Sequence, residues 1–495
     1  MLTSLVLILI AIIYWWIKNS FSYWSRRGVP HKKPSFPFGN LEGFGKKPIF
    51  SMLSEVYNRF KVAEKKFVGM YYFLKPVVLV HDLDFAKDVL VKDFQHFHDR
   101  GFYQNEKGGD LVSSNLLALV GDRWRNARNI LTPTFTAGKI KLMFPLMAEI
   151  GEKLSTQMIK ETGEGAKLDM RDICARFTTD MIGSCAFGLE CNCLQDPGCI
   201  FQEMGRRTTA PTLMYVFTNS FPKLSRFFNI KMIEKEVEMF FLDTIKSTIK
   251  YRKQNKIQRE DFLDTLIKHG VKEVSDGDKC MGWQIREIVS HSLIFFIAGY
   301  ENATVIMALC LYELALNQEI QDKARENIRQ ILAKHGSVSY DALLKMKYLE
   351  NCINETLRKH PPLPLTAREV TKSYHIPDMD VTLEEGTRVL IPIHAIQNDP
   401  QYYADPERFD PDRFDPEKMV TWHPLQFIPF GYGPRNCIGF RFGMMQMILG
   451  LANMLDRFRF TVSDRTPVPL EFDSTKYIVT SFVGPMWLNV ENVQK

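Results

Sequence analysis

The residues best placed to do chemistry lie in Phe430-Gly431-Tyr432-Gly433-Pro434-Arg435-Asn436-Cys437-Ile438-Gly439. The glycines and the proline rule out a regular strand or helix up to Cys437. From Ile438 to Arg457 the spacing of apolar residues is helical, with Met444, Met445, Met447, Leu449, Leu451 and Met454. A thiol is thus expected on a tight loop at a helix N-terminus. Unsatisfied N–H groups and the helix dipole there lower a thiol pKa and aim hydrogen bonds at its sulfur. An anionic sulfur held this way is a nucleophile or a metal ligand. A nucleophile needs a base, and near in sequence there is only His423. Zinc or an iron–sulfur cluster needs partner cysteines, and none stands at such spacing. One thiolate suffices for a single iron whose in-plane ligands come from a porphyrin. The plainest alternative is a small buried hydrophobe, the usual fate of one free cysteine.

Two helical stretches carry further polar residues. Trp124 and Arg128 are four apart and share a helix face, an arrangement that elsewhere means packing plus a surface charge. Trp283 to Leu316 reads as one long helix, on the order of 50 Å. Its middle is Phe295-Phe296-Ile297-Ala298-Gly299-Tyr300-Glu301-Asn302-Ala303-Thr304. A glycine inside a helix costs roughly 1 kcal/mol, and the expected compensation at Gly299 is close approach of its backbone to a cofactor. Phe295, Ala298 and Gly299 share the face of Asn302, whereas Thr304 points some 200° away at about 100° per residue.

Phe430, Gly433, Arg435, Cys437 and Gly439 fit Phe-x-x-Gly-x-Arg-x-Cys-x-Gly in full, which resembles the haem-binding signature of the cytochrome P-450 family. The resemblance runs the length of the chain and is nearest to the insect microsomal family-six enzymes, as in Ile130-Leu131-Thr132-Pro133-Thr134-Phe135. It implies a mainly α fold with a small β region. It also implies haem b with its iron ligated by Cys437, the thiolate pushing electron density toward O–O cleavage. Trp124, Arg128 and Arg368 are then haem-propionate ligands, and an arginine fork suits a carboxylate. Ala298 and Gly299 lie over the haem. Asn302 stands where the family's Ala-Gly-x-x-Thr has threonine, so Glu301, Asn302 and Thr304 become the candidates for proton delivery. Glu355 and Arg358 join Arg413, found in Pro406-x-x-Phe409-x-Pro411-Asp412-Arg413-Phe414, to hold the fold under the haem. Substrate contacts are expected at Phe102, Tyr103, Leu116, Phe295, Leu365, Thr366, Val479 and Phe482.

The implied activity is insertion of one oxygen atom from O2 into a lipophilic substrate, a plant toxin, an insecticide or an endogenous lipophile. No Gly-x-Gly-x-x-Gly fingerprint is present, so electrons come from NADPH through a separate flavoprotein reductase, with cytochrome b5 as a further partner. Arg125, Lys139 and Lys141 are candidates for its docking face. The rivals are a haem-thiolate isomerase or dehydratase, needing neither electrons nor O2, and a non-catalytic haem or hydrophobe sensor.

The rest of the chain must position these residues. With 495 residues, 45% of them hydrophobic, a large core is available, and beyond the first 50 no linker or repeat divides it. A net charge of +6, spread along the chain, argues against nucleic acid. Leu5 to Ile17 is an unbroken apolar run that from Met1 spans about 25 Å as a helix. It lacks a preceding charge and a small-x-small cleavage site, so an uncleaved anchor over 1–20 is expected. Lys18, Arg26, Arg27, Lys32, Lys33, Lys46 and Lys47 follow, which puts the body on the cytoplasmic face, of the endoplasmic reticulum by the resemblance. Pro30, Pro34, Pro37 and Gly39 predict a stiff hinge over 21–45, with the catalytic domain over 46–495. Phe67–Leu74 and Val77–Val80 read as β-runs broken at Lys75-Pro76, and residues 140–270 as mostly helical. Phe217–Phe228 suits a membrane-dipping segment near a substrate entrance. The nine cysteines, including clustered Cys191, Cys193 and Cys199, are expected as reduced thiols.

Overall fold

The computed structural model describes residues 2–61, 65–163, 165–208, 212–259, 261–270 and 285–493. The N-terminal apolar run forms α1 (Leu2–Phe21), whose apolar stretch packs against nothing and is long and apolar enough to cross a membrane. The expected hinge is not free. The short α2 (Tyr23–Arg26) buries Trp24 completely and donates its indole N–H to Met70 O at 2.9 Å. Asn40 is also buried, and its Oδ1 accepts from the Tyr71 N–H at 2.8 Å. The prolines set the path of this segment, but its buried side chains make it part of the body.

After α3 (Ile49–Phe60) come β1 (Phe67–Tyr72) and β2 (Lys75–Val80). They turn at Phe73, with φ of 52°, rather than at Lys75-Pro76. Pro76 sits inside β2 opposite Tyr71, one residue short of where the next strand begins to pair at Val77, so its missing N–H breaks no bond.

The helical body includes α4 (Gly121–Leu131), α5 (Ala137–Glu161), α6 (Met170–Ile182, entered from the short strand β3, Lys167–Asp169), α7 (Thr212–Ser220) and α8 (Pro222–Phe227). On the last of these Leu224, Phe227 and the following Phe228 are exposed. The long helix is α9 (Ile285–Leu316); Trp283, its expected start, lies outside the described residues. Most of α9 is buried on every side, as an all-round apolar helix in a large core must be. Then follow α10 (Lys347–Lys359), β4 (Thr366–Glu369), β5 (Arg388–Ile391), α11 (Phe440–Arg457), β6 (Phe458–Val462) and β7 (Trp487–Asn492). One sheet has the order β1-β2-β5-β4, parallel only between β2 and β5; a second, antiparallel, runs β3-β7-β6.

One cysteine expectation is overturned. Cys193 and Cys199 form a disulfide, because the turns between them bring their Cα atoms to 5.1 Å. Cys191 beside them is a free thiol.

Candidate functional site

Cys437 sits on the loop before α11, with its N–H donated to Phe430 O at 2.8 Å and the Asn436 N–H to Gly433 O at 3.0 Å. Gly433 has φ of 75°, and a side chain there would collide with the backbone carbonyl of Leu90, so the position excludes other residues twice over. The sulfur accepts from the backbone N–H of Gly439, which caps α11. That bond and the charges of Arg128 and Arg100 favour a thiolate, as the loop position predicts. Burial outweighs them and pushes the thiol up, against the expectation of a lowered pKa. The Cys437 side chain is nonetheless exposed, as is Ala298 at the centre of α9. Both lie on elements otherwise enclosed, so the exposure is to an interior space walled by the loop and by α9, and the desolvation is real.

Four guanidinium groups gather beside the cysteine. Arg128, on α4, donates to Asn436 O at 2.8 Å and to its Oδ1 at 2.7 Å. Arg100 donates to Arg435 O at 2.7 Å and to Thr366 Oγ1. Arg368, on β4, is 1% exposed and reaches Thr366 Oγ1 and Ala367 O. Arg435 reaches His98 O, Leu119 O and Asp99 Oδ1, and lies 4.0 Å over the ring of Trp124. Trp124 is therefore a buried platform for Arg435.

Burial, then mutual repulsion, pushes Arg368 well below the usual arginine range and Arg435 down to about 9. Burial alone leads for Arg100, which falls to about 10. Among the bonds described, one carboxylate, Asp99, answers this charge. Arg368 Nε and Arg435 Nη1 are buried donors without a hydrogen-bond partner. Buried charge in such excess is costly unless an anion meets it, and the donor set fits a group carrying two carboxylates. Arg100 was not anticipated from the sequence; the run His98-Asp99-Arg100 in an irregular stretch was its only sign.

Below this site Arg358 forms a two-pronged pair with Glu355 at 2.8 and 2.9 Å, both fully buried. Arg413 Nε approaches the same carboxylate at 3.4 Å. The expected trio is assembled as the sequence spacing implied.

Across the interior space, the Asn302 amide N–H donates to Ala298 O at 3.1 Å, and its Oδ1 is buried without a partner. Thr304 turns away and bonds Thr178 Oγ1 at 2.7 Å and Tyr300 O at 2.9 Å. Glu301 is buried and its carboxyl is pushed up by desolvation, with Arg171 and Lys476 opposing. Gly299 has a packing reason within the protein itself. A Cβ there would stand 2.7 Å from Ile182 Cδ1, so its smallness lets α9 lie against α6. Its carbonyl accepts from Gln446 of α11 at 2.9 Å. Gln446, unmarked in sequence, thus ties the helix after Cys437 to the helix opposite, and its Oε1 is also unpartnered.

The substrate candidates divide. Phe102, Leu365 and Val479 are half-buried, whereas Leu116 belongs to the packed core. Tyr103 is buried, its hydroxyl donating to Ile230 O and its backbone N–H to Asn219 Oδ1. Phe295 stacks on Phe135 at 5.0 Å and meets Phe262 at 4.0 Å. Thr366 is engaged by the arginines, and Phe482 is buried under Arg171.

A family model described as "Cytochrome P450" matches residues 29–484. The chain is 43% identical over 492 residues to "Probable cytochrome P450 6a14" of Drosophila melanogaster, covering 96% of each protein. It is 39% identical to "Cytochrome P450 6A1" of Musca domestica, over 99% of this chain and 97% of that one. To "Cytochrome P450 6a2" of Drosophila melanogaster it is 38% identical, with 96% of each covered. A lone loop thiol, a cluster of arginines built for a dianion and these full-length likenesses agree, and the chain belongs to the cytochrome P450 family of haem-thiolate monooxygenases.

Proposed function

We propose that this chain is a membrane-anchored monooxygenase that inserts one oxygen atom of O2 into a lipophilic substrate. Electrons come from NADPH through a separate flavoprotein reductase, with cytochrome b5 as a second donor. The substrate is a xenobiotic such as a plant toxin or insecticide, or an endogenous lipophile. The body lies on the cytoplasmic face of the endoplasmic reticulum, held by α1.

The observation that carries the reading is the buried arginine cluster with two orphaned donors beside Cys437. Cys437 supplies the thiolate to the haem iron, and the Gly439 N–H steadies its charge. Arg368 and Arg435 hold the propionates, with Arg100 and Arg128 at the same edge. Bound there, haem b supplies the oxygen-binding and oxygen-transfer chemistry. The chain supplies the rest. Ala298 leaves room above the cofactor. Asn302 Oδ1 accepts a hydrogen bond from a water, and Glu301, its pKa raised by burial, is the neighbouring carboxyl that exchanges protons with that water. Apolar side chains such as Phe102, Leu365 and Val479 orient the substrate and exclude bulk water.

The test is product analysis with purified protein, reductase and NADPH against a panel of plant toxins and insecticides, beside a carbon monoxide difference spectrum. The reading expects the red-shifted band of thiolate-ligated haem and an NADPH-dependent oxygenated product. A normal band with turnover independent of NADPH and O2 points to an isomerase or dehydratase instead.

A further inference from the structure

Three tyrosines from distant parts of the chain meet beside the half-buried residues assigned to substrate. Tyr72 comes from β1, Tyr215 from α7 and Tyr477 from the C-terminal turn. The rings of Tyr72 and Tyr477 are 6.3 Å apart, those of Tyr215 and Tyr477 5.5 Å, and Phe102 is 6.0 Å from Tyr215. The turn carrying Tyr477 and Val479 is fastened by the Thr480 N–H to Pro362 O at 2.7 Å, just ahead of Leu365.

Tyr72 is 3% exposed, yet its hydroxyl has no aligned hydrogen bond. The Tyr477 phenol leans its O–H toward the Tyr72 oxygen outside ordinary hydrogen-bond geometry, which still leaves the Tyr72 proton without an acceptor. Orphaned hydroxyls are rare in native interiors and ask for an explanation. Core packing does not provide one, since phenylalanine would fill the same space without burying an unpaired oxygen.

The chemistry of the missing partner can be narrowed. Burial raises all three phenols, Tyr72 to about 12, so they are neutral donors at any working pH. Arg388 is the nearby cation, but it donates to Gly101 O and Asn219 Oδ1 and sits directly opposite Glu369 across β4 and β5. With its guanidinium committed to those acceptors and the Glu369 carboxyl nearby offsetting its charge, a neutral acceptor is favoured over an anion. We propose that Tyr72, with Tyr215 and Tyr477, forms a polar anchor in the substrate passage for a lipophile bearing a neutral acceptor oxygen, a carbonyl or ester. The proposal rests on the monooxygenase reading and names its substrate class.

The test compares menthone with p-menthane, which share a carbon skeleton and differ by the carbonyl. Binding to the full-length haem-loaded protein is measured by calorimetry, and a carbon monoxide spectrum is recorded on each preparation. One neutral hydrogen bond predicts that menthone binds about fivefold more tightly. Tyr72→Phe should erase that preference while leaving p-menthane affinity unchanged. Equal affinities in the unaltered protein, or binding of neither compound, overturn the anchor. So does a preference that survives both Tyr72→Phe and Tyr477→Phe. A thiolate band without the preference removes only the anchor; the preference without the band removes the monooxygenase reading.

Discussion

The two walls of the interior space are built on different terms. Around Cys437 the backbone is fixed by its own turns, by the collision that excludes any side chain at Gly433, and by Arg128 on Asn436. What is left unsatisfied there is positive charge. At α9 the shortage is of donors: Asn302 on it, and Gln446 reaching it from α11, each spend an amide N–H on an α9 carbonyl and leave an amide oxygen bare. The first wall awaits an anion that stays. On the function proposed above, the second takes water, which exchanges. Binding of the cofactor and handling of protons are thus separable by mutation.

The largest effect is expected at the first wall. Cys437→Ala should abolish the thiolate-type carbon monoxide band and all turnover; retention of the band would remove Cys437 as the ligand. Arg368→Met comes next. Losing a charge-assisted contact is worth ~1.5–3 kcal/mol, or roughly 10- to 100-fold in haem retention, read as the rate of haem transfer to apomyoglobin. Arg128→Met should lose less, because Arg128 is only partly buried and its guanidinium already donates to Asn436 O and Oδ1. Equal losses would mean the buried donors are not what grips the cofactor.

At the second wall the effects are smaller and of another kind. Gln446→Leu should cost about 1 kcal/mol of stability, leave haem retention unchanged and raise hydrogen peroxide released per NADPH; Gln446→Glu should recover coupling only at a pH where the new carboxyl keeps its proton. Unchanged coupling in Gln446→Leu would leave it a packing residue. Asn302→Thr should form severalfold more product per NADPH, because a hydroxyl passes a proton and an amide does not. Positioned proton transfer is typically worth about 10²–10⁴ in rate, most of it recovered here by water on Oδ1. Coupling no better than in the unaltered protein would show the amide to be a competent relay. The smallest effect is at the docking face. Arg125 is paired with Asp122 and Lys141 with Asp341, so reversing Arg125, Lys139 and Lys141 together should weaken reductase affinity only about two- to threefold, and less in high salt.

What could be read beforehand follows the same division. The cysteine loop, the Glu355–Arg358–Arg413 contact and the place of Arg368 are legible through the family resemblance, whose motifs keep residue type and spacing together. Arg100 and Gln446 are not, since each acquires meaning only from a partner more than a hundred residues away. Gly299 is half legible: its rarity in a helix is plain, but its packing partner Ile182, on another helix, is not. Prolines and basic residues made 21–45 look like a hinge, and Trp24 and Asn40 reverse that through tertiary contacts alone.

If α1 is the membrane anchor proposed above, Trp24 has a further consequence for how the body is held. The Phe21 carbonyl that ends α1 accepts from Tyr71 Oη at 2.8 Å, and Tyr71 Oη in turn accepts from the Trp24 N–H at 3.1 Å. Hardly any slack separates α1 from the sheet. A bilayer that holds α1 therefore grips the body by a handle and not a leash, setting its tilt and the height at which Leu224, Phe227 and Phe228 are offered to lipid. Trimming the chain for solubility should accordingly stop before Tyr23; a cut at Pro30 takes away a buried indole along with the anchor.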